Sequence, residues 1–183
     1  GDALLTQAFY LMTHSELMSA IPPERLLQAA HDMTVAIGTS GMIGGQVVDI
    51  ESEGKPIDAK TLEYIHIHKT GRLINACIRA GAILSQAKTE ELEALSKYGE
   101  QIGLAFQIVD DILDIVADQS LLGKDVGSDV GKEKATYPAL YGLDEARNKA
   151  EKLVEEGIAY LKNFDDRAEP LREIGRFFLQ RTF

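Results

Sequence analysis

Residues 103–117 read GLAFQIVDDILDIVA and place three carboxylates inside an otherwise apolar stretch. At helical pitch, Asp110 and Asp114 lie one turn apart on one face, and Gln107 lies one turn before them. Like charges at this spacing repel each other by about 0.2–0.5 kcal/mol, so a nearby cation is expected to offset the repulsion. Acidic helix faces are most often simply solvated, but apolar residues on nearly all sides favour a buried helix here. The stretch therefore predicts a helix with a polar seam, which is either solvated or a metal site.

The ligand chemistry of this seam indicates which metal would suit it. Asp110, Asp111 and Asp114 offer only oxygen donors, and no cysteine or histidine cluster lies beside them in the sequence. Such donors suit a hard cation, most naturally Mg²⁺ that bridges one or two carboxylates to a phosphorylated substrate. The predicted cofactor is therefore Mg²⁺.

Composition limits the class of protein. With 183 residues, 45% of them hydrophobic, the chain is long enough for one globular domain. The net charge of −10 argues against nucleic acid as a partner. The apolar runs are too short for a membrane span and no signal peptide opens the chain, which predicts a cytoplasmic protein. Cys77 is the only cysteine, so no internal disulfide can form, and we expect it in the core rather than as a nucleophile.

The pattern of apolar residues predicts an all-α fold. Five prolines separate stretches with helical periodicity, and strand patterns are nearly absent. The glycines of residues 41–45 would let one backbone pass close to another helix or to a ligand. The predicted helices cover residues 2–18, 24–39, 42–51, 58–86, 89–117, 137–163 and 167–182.

Three lysines could complete a site for a phosphorylated substrate. Lys69 lies within an apolar helical stretch, whereas Lys124 and Lys134 flank the long loop between residues 122 and 135. Ammonium groups on one side and a metal on the other would hold a diphosphate. The loop itself resembles neither a complete calcium loop nor a complete P-loop, because required glycine, glutamate and hydroxyl positions are missing. Nearby His66 and His68 point to different helix faces, so they are poor joint metal ligands.

Four motifs together resemble a known family. Residues 41–49 (GMIGGQVVD), 68–70 (HKT), 106–114 (FQIVDDILD) and the segment from Gly123-Lys124 to 134–138 (KATYP) follow the order found in trans-isoprenyl diphosphate synthases of the bacterial farnesyl or geranylgeranyl type. The resemblance covers nearly the whole chain. It implies an all-α helical bundle around a central cavity, usually as a homodimer. It also implies a Mg²⁺-dependent prenyltransferase that condenses dimethylallyl or geranyl diphosphate with isopentenyl diphosphate to a short-chain product and pyrophosphate.

The resemblance also implies a role for individual residues. Asp110 and Asp114 would bind Mg²⁺ directly or through water, with Asp111 in support. Thr70 and Gln107 would lie beside the developing allylic cation, and Phe106 would wall the pocket near the isopentenyl unit. The remaining substrate-binding residues would be Lys69, Lys124 and Lys134 on the diphosphate, Gln46 and Asp49 along the cavity, and Asp129 behind the metal site.

One departure from the family pattern shapes the functional expectation. The family has two facing aspartate-rich motifs, but Asp-Asp-x-x-Asp occurs only once here, at residues 110–114. The chain also starts without Met, directly in an apolar helical pattern. Residues 1–183 are therefore expected to be the C-terminal part of a single polyprenyl synthetase domain, without its N-terminal helices and inactive by themselves. The alternatives are a long-chain polyprenyl diphosphate synthase and a non-catalytic regulatory subunit of such an enzyme.

Overall fold

The computed structural model describes residues 1–122 and 135–181, and this part of the chain is helical without a strand. The all-α prediction is therefore confirmed. The ten α-helices of the described part are α1 Asp2–Met12, α2 Ser15–Ala20, α3 Pro23–Ile37, α4 Met42–Ser52, α5 Ala59–His66, α6 Arg72–Leu84, α7 Thr89–Leu122, α8 Tyr137–Tyr141, α9 Leu143–Tyr160 and α10 Glu169–Gln180.

Helix α7 forms the centre of the molecule. Five of its fully buried residues recur at alternating spacings of four and three, the pattern of a helix with one continuous apolar seam. They pack against α9, whose small residues Ala146 and Ala150 are also buried. A second, smaller cluster joins α3 to α6 through Ala29, Ala80 and Ile83. The buried residues of the α7 seam are Tyr98, Ile102, Ala105, Val109 and Ile112.

The predicted helix 58–86 is present but contains a wider turn at its centre. It begins at Asp58, whose carboxylate accepts a hydrogen bond from Thr61 N at 2.8 Å and so caps the first turn. Helices α5 and α6 are then joined without a break by a π-helical segment, Ile67–Gly71. π turns are rare and frequently occur at functional sites. This one contains Lys69 and Thr70.

Glycines bring this π segment close to its two neighbouring helices. A Cβ added at Gly45 in α4 would lie 2.3 Å from Lys69 N, and one added at Gly103 in α7 would lie 2.8 Å from Gly71 Cα. Both distances are too short for real Cβ atoms, so only glycine permits these approaches. The predicted close backbone approach at residues 41–45 is thus present, and its partner is the π segment.

Three predictions differ from the structure. The predicted helix 2–18 is interrupted after Met12, where Thr13 donates its hydroxyl to Phe9 O at 2.8 Å. The predicted helix 137–163 is divided at Gly142, whose φ of 88° lies outside the helical region. Cys77 is exposed on α6, not buried in the core, because the buried face of that helix passes through Ala76 and Ala80 instead. Desolvation nonetheless raises the pKa of its thiol.

No described helix combines the length and the apolarity needed to cross a bilayer.

Candidate functional site

The aspartate-rich stretch forms the predicted polar seam on α7. Ile108, Val109 and Ile112 are fully buried, whereas Asp114 on the opposite side is exposed. Asp110 lies between these extremes and is partly buried. The buried residues face α9 and the carboxylates face away from it, since a step of one residue turns the helix by about 100°. The apolar surroundings and the acidic face thus belong to different sides of one helix.

Three contacts define an antiparallel register between α7 and the helix formed by α5, the π segment and α6. Gly99 lies against Asn75, Gly103 against Gly71, and Asp111 against His66. The level of Lys69 and Thr70 lies between the last two contacts. It therefore coincides with the part of α7 that carries Phe106, Gln107 and Asp110. The fold brings these residues to one level of the helix pair although almost forty residues of sequence separate them.

Lys69 already has an anionic partner. Its Nζ lies 2.6 Å from Asp49 Oδ2 of α4, and their side chains are 29% and 18% exposed. This pair joins α4 to the π segment on the same side as the Gly45 contact. Gln46 lies one turn before Asp49 in α4, and its side chain is exposed. The two polar residues predicted from the glycine-rich motif thus differ, because Asp49 is engaged with Lys69 whereas Gln46 faces outward.

Asp111 is held by two other elements. Its Oδ2 accepts a hydrogen bond from Tyr137 N at 2.8 Å and lies 3.2 Å from Nε2 of His66. Tyr137 is the first residue of α8, and Thr136 caps that helix by accepting from Ala139 N. Burial raises the pKa of the Tyr137 phenol. The carboxylate of Asp111 is thus oriented toward donors of α5 and α8.

Phe106 belongs to an aromatic contact with the C-terminal helix. Its ring lies 5.2 Å from that of Phe178 at an angle of 65°, an edge-to-face arrangement. The guanidinium of Arg181 lies 6.0 Å from the centre of the same ring. Helix α10 therefore packs over α7 at Phe106, the residue that precedes Gln107. Thr70 and Gln107 themselves are partly buried.

The carboxylates of Asp110 and Asp114 fit a Mg²⁺ site that is completed by substrate phosphates and water. Within residues 1–122 and 135–181, no three side chains of the types His, Cys, Asp and Glu converge as a complete metal cage. Mg²⁺ does not need one, because it commonly uses one or two carboxylates together with substrate phosphates and water. Asp110 and Asp114 can supply those oxygens from one face of α7. Lys124, Asp129 and Lys134, the other predicted site residues, lie outside the described residues.

Sequence reasoning missed the position of His66. We predicted that the two histidines of this stretch are not joint ligands, and they do point apart: His68 contacts Tyr64 O at 2.8 Å, whereas His66 is only 3% exposed. The available indication was its spacing from Leu62 and Ile65, which places it on the buried face of α5. A polar side chain on such a face needs a partner. Its partner, Asp111, could not be read from the sequence.

A cavity of the described part lies beside the candidate site. It has a volume of about 530 Å³ and is lined by α3, α6, α7 and the two ends of the π segment, Ile67 and Gly71. Arg79 on its wall binds Asp32 through two nitrogens at 2.9 and 2.6 Å and Ser96 at 2.7 Å. None of the predicted site residues that the structure describes lines it. We therefore locate the candidate site at Lys69 and the acidic face of α7 on the basis of the side-chain chemistry, and not within this cavity.

Comparison with known proteins identifies the family of this chain. Residues 1–173 match the model of the polyprenyl synthetase family. A dimethylallyltranstransferase of Fischerella ambigua (strain UTEX 1903) is 45% identical over all of this chain and 52% of its own length. The chain spans between about half and three fifths of the curated relatives it matches.

Two solved structures have the same fold. An apo FPP/GFPP synthase of Zymomonas mobilis is 34% identical with a TM-score of 0.82, over 97% of this chain and 58% of the other. A geranyltransferase of Helicobacter pylori, complexed with magnesium and isoprenyl diphosphate, is 30% identical with a TM-score of 0.73, over 98% and 57%. The helical architecture, the placement of the acidic seam and these matches lead to one conclusion: the chain belongs to the polyprenyl synthetase family.

Proposed function

We propose that this chain is the C-terminal part of the single catalytic domain of a short-chain isoprenyl diphosphate synthase. The reaction would join an allylic diphosphate, dimethylallyl or geranyl, to isopentenyl diphosphate. The allylic carbon–oxygen bond breaks and pyrophosphate leaves, a carbon–carbon bond forms to the isopentenyl unit, and that unit then loses a proton. The product would be a farnesyl-type diphosphate. The names of the relatives, among them farnesyl and geranylgeranyl diphosphate synthases, support this reaction class.

The observation that carries the proposal is the register between the π segment and α7. The contacts Gly71–Gly103 and His66–Asp111 enclose the stretch in which Lys69 and Thr70 run alongside the part of α7 that leads into the acidic residues. A diphosphate between them would have an ammonium group on one side and carboxylates on the other. The carboxylates favour binding only if a divalent cation bridges them to the phosphates, so this arrangement supports a Mg²⁺-dependent reaction.

Each residue would have a distinct task at this place. Lys69 would donate to the allylic diphosphate, and Lys124 and Lys134 are proposed to do the same. Asp110 and Asp114 would hold Mg²⁺, which neutralises the leaving diphosphate when it is bound. Thr70 and Gln107 would direct their oxygen atoms toward the positive charge that develops on the allylic carbon. Phe106, covered by Phe178 and Arg181, would exclude water near the isopentenyl unit.

We also propose that the complete protein is a homodimer in which α1 contacts a second copy. Helix α1 has no buried residue, and Leu4 and Leu11 are 77% and 52% exposed. They are seven residues apart and so share one face of the helix. Large exposed apolar residues on a single helix face mark interaction surfaces. The apolar cluster of α3, which α1 adjoins, would then continue across the interface.

The test is a product assay with the full-length product of the gene that encodes this chain. The protein is incubated with Mg²⁺, geranyl diphosphate and labelled isopentenyl diphosphate, and the prenyl chains are separated by chromatography. We expect a C15 product. Chains much longer than this would identify a long-chain synthase instead, and the absence of any product would favour a regulatory subunit. The 183-residue chain alone, rigorously purified, is expected to form no product.

Lys69→Ala provides the site-specific part of the test. A charge-assisted hydrogen bond contributes about 1.5–3 kcal/mol, so kcat/KM for geranyl diphosphate should fall by about 10- to 100-fold. Lys97→Ala is the matched control, because Lys97 pairs with Glu100 on the exposed side of α7, away from the candidate site. Equal kinetics for the two variants would contradict the assignment of Lys69.

A further inference from the structure

We infer that His66 is a positioning residue that fixes the carboxylate of Asp111 and so leaves Asp110 and Asp114 as the carboxylates that face the substrate. His66 ends α5 and is 3% exposed, beside the buried Leu62 and Ile65. Its Nε2 lies 3.2 Å from Asp111 Oδ2. This inference rests on the proposed function, and it assigns a task to a residue that the proposed reaction does not itself use.

The first step of the argument is that one oxygen of Asp111 has two protein partners. Oδ2 lies 3.2 Å from His66 Nε2 and accepts from Tyr137 N at 2.8 Å. The side chain is 17% exposed. A cation approaching Oδ2 would have to displace the contacts that two different elements make with it. Asp111 is therefore better placed to support the acidic face than to donate this oxygen to a metal.

The second step is that this contact connects the two halves of the candidate site. His66 is followed directly by the π segment with Lys69, and Asp111 directly follows Asp110. Fixing His66 against Asp111 therefore helps to set the spacing between the segment that carries Lys69 and the part of α7 that carries the carboxylates. Groups that orient metal-binding residues in this way change metal affinity or activity by about 10- to 100-fold when they are removed.

The third step concerns which ring nitrogen matters. His66 Nδ1 is buried and has no hydrogen-bond partner among the described residues. The polar contact of the ring is therefore made through Nε2. The amide nitrogen of a glutamine can reach the position of Nε2, whereas that of an asparagine reaches only about as far as Nδ1. His66→Gln should keep the contact with Asp111, and His66→Asn should lose it.

The experiment compares these two variants in the full-length gene product. Binding of inorganic pyrophosphate in the presence of Mg²⁺ is measured by calorimetry, and the Mg²⁺ concentration for half-maximal condensation is measured in parallel. We expect His66→Asn to weaken Mg²⁺-dependent pyrophosphate binding by about 10-fold or more and His66→Gln to stay within about 3-fold of the wild type. His31→Gln, at an exposed histidine of α3, is the control. Equal loss in the Asn and Gln variants, or no loss in either, would overturn the inference.

A second measurement needs neither metal nor substrate. Long-range proton–nitrogen NMR correlations of the imidazole show which nitrogen carries a hydrogen, and Nε2 is expected to carry it in the wild type. Asp111→Asn should shift the Nε2 resonance, and a resonance that stays unchanged would overturn the inference. Because this measurement is independent of catalysis, it distinguishes failure of the His66 contact from failure of the proposed reaction.

Discussion

Lys69 has a carboxylate at its ammonium group before any substrate arrives. Asp49 Oδ2 lies 2.6 Å from its Nζ, in a pair that is less than one third exposed on either side. A partly buried ammonium group without a partner would be costly, so Asp49 stabilises the folded state and holds the lysine side chain in place. A diphosphate with Mg²⁺ would have to share this ammonium group. Asp49 therefore influences both the position and the availability of the charge.

Tyr98 gives a residue-scale prediction on pH. Its hydroxyl donates to Leu171 O of α10, and burial raises the pKa of the phenol from 10.0 to about 12. Because the ionised form is disfavoured in the folded state, this residue's contribution to stability is complete below pH 10 and is lost as the pH rises toward 12. In Tyr98→Phe, that loss should be absent.

Urea denaturation of the wild type and of Tyr98→Phe at a series of pH values measures this effect. The stability advantage of the wild type should fall by about 1.4 kcal/mol for each unit of the pKa difference passed above pH 10. Tyr160→Phe, which alters an exposed tyrosine of α9, serves as the control. A difference between wild type and Tyr98→Phe that does not change with pH would contradict the prediction.

At the scale of elements, the site depends on how closely α4, the π segment and α7 approach one another. Glycines occupy the contact points because a side chain there would collide with the facing backbone. The wide turn at residues 67–71 lies between these contacts. Lys69 and Thr70 are thus held on a segment enclosed by two helices. Packing on two sides restricts the movement of this segment, and so helps to place the charge of Lys69 accurately.

Gly45→Ala tests this close packing. The added Cβ would lie 2.3 Å from Lys69 N and 2.8 Å from Lys69 Cα, so backbone atoms must move. We expect the free energy of unfolding to fall by about 1–3 kcal/mol, as in other overpacked sites. Activity should fall as well, because the displaced atoms belong to Lys69.

Gly81→Ala is the matched control within α6. No atom lies within 4 Å of the Cβ that it would add, and the residue is exposed. Alanine is favoured over glycine inside a helix, so this variant should be more stable by about 0.5–1 kcal/mol. Chemical denaturation of both variants measures their free energies of unfolding. Equal changes in Gly45→Ala and Gly81→Ala would show that packing against the π segment is unimportant.

At the scale of the whole molecule, α1 presents an exposed apolar face within the described part of the chain. Leu4 and Leu11 lie on this face, and Leu27 of α3 is 71% exposed. The larger core around α7 and α9 is by contrast well covered. The α1 side of the molecule therefore exposes large apolar residues, whereas the α7 and α9 side buries them. The proposed dimer contact lies on the α1 side.

The double substitution Leu4→Asp with Leu11→Asp tests the dimer in the full-length gene product. Burying a leucine contributes about 1.5–3 kcal/mol, so losing two from each subunit should raise the dimer dissociation constant by at least about 100-fold. Sedimentation analysis over a range of concentrations measures it. Ile174→Asp, at an exposed residue of α10, should leave the dimer intact. A double variant that still sediments as a dimer would exclude α1 from the interface.

The sequence by itself determined the helical class, the acidic face of α7 and the close approach at residues 41–45. These follow from local spacing, because helical pitch decides which side chains share a face and glycine decides where backbones can approach. The helix break at Gly142 and the burial of His66 depended on weaker local preferences, and we did not predict them. The family motifs also named the candidate site residues, which remain predictions.

Only the tertiary structure decided which residues meet across the molecule. The contacts Lys69–Asp49 and His66–Asp111 join residues that are twenty and forty-five positions apart. Their geometry is set by the register of antiparallel helices and by glycine contacts between them. The exposure of Cys77 was likewise decided by which face of α6 turned toward its neighbours. Local sequence fixes the faces of each helix, but the free energy of packing all helices together selects the faces that come into contact.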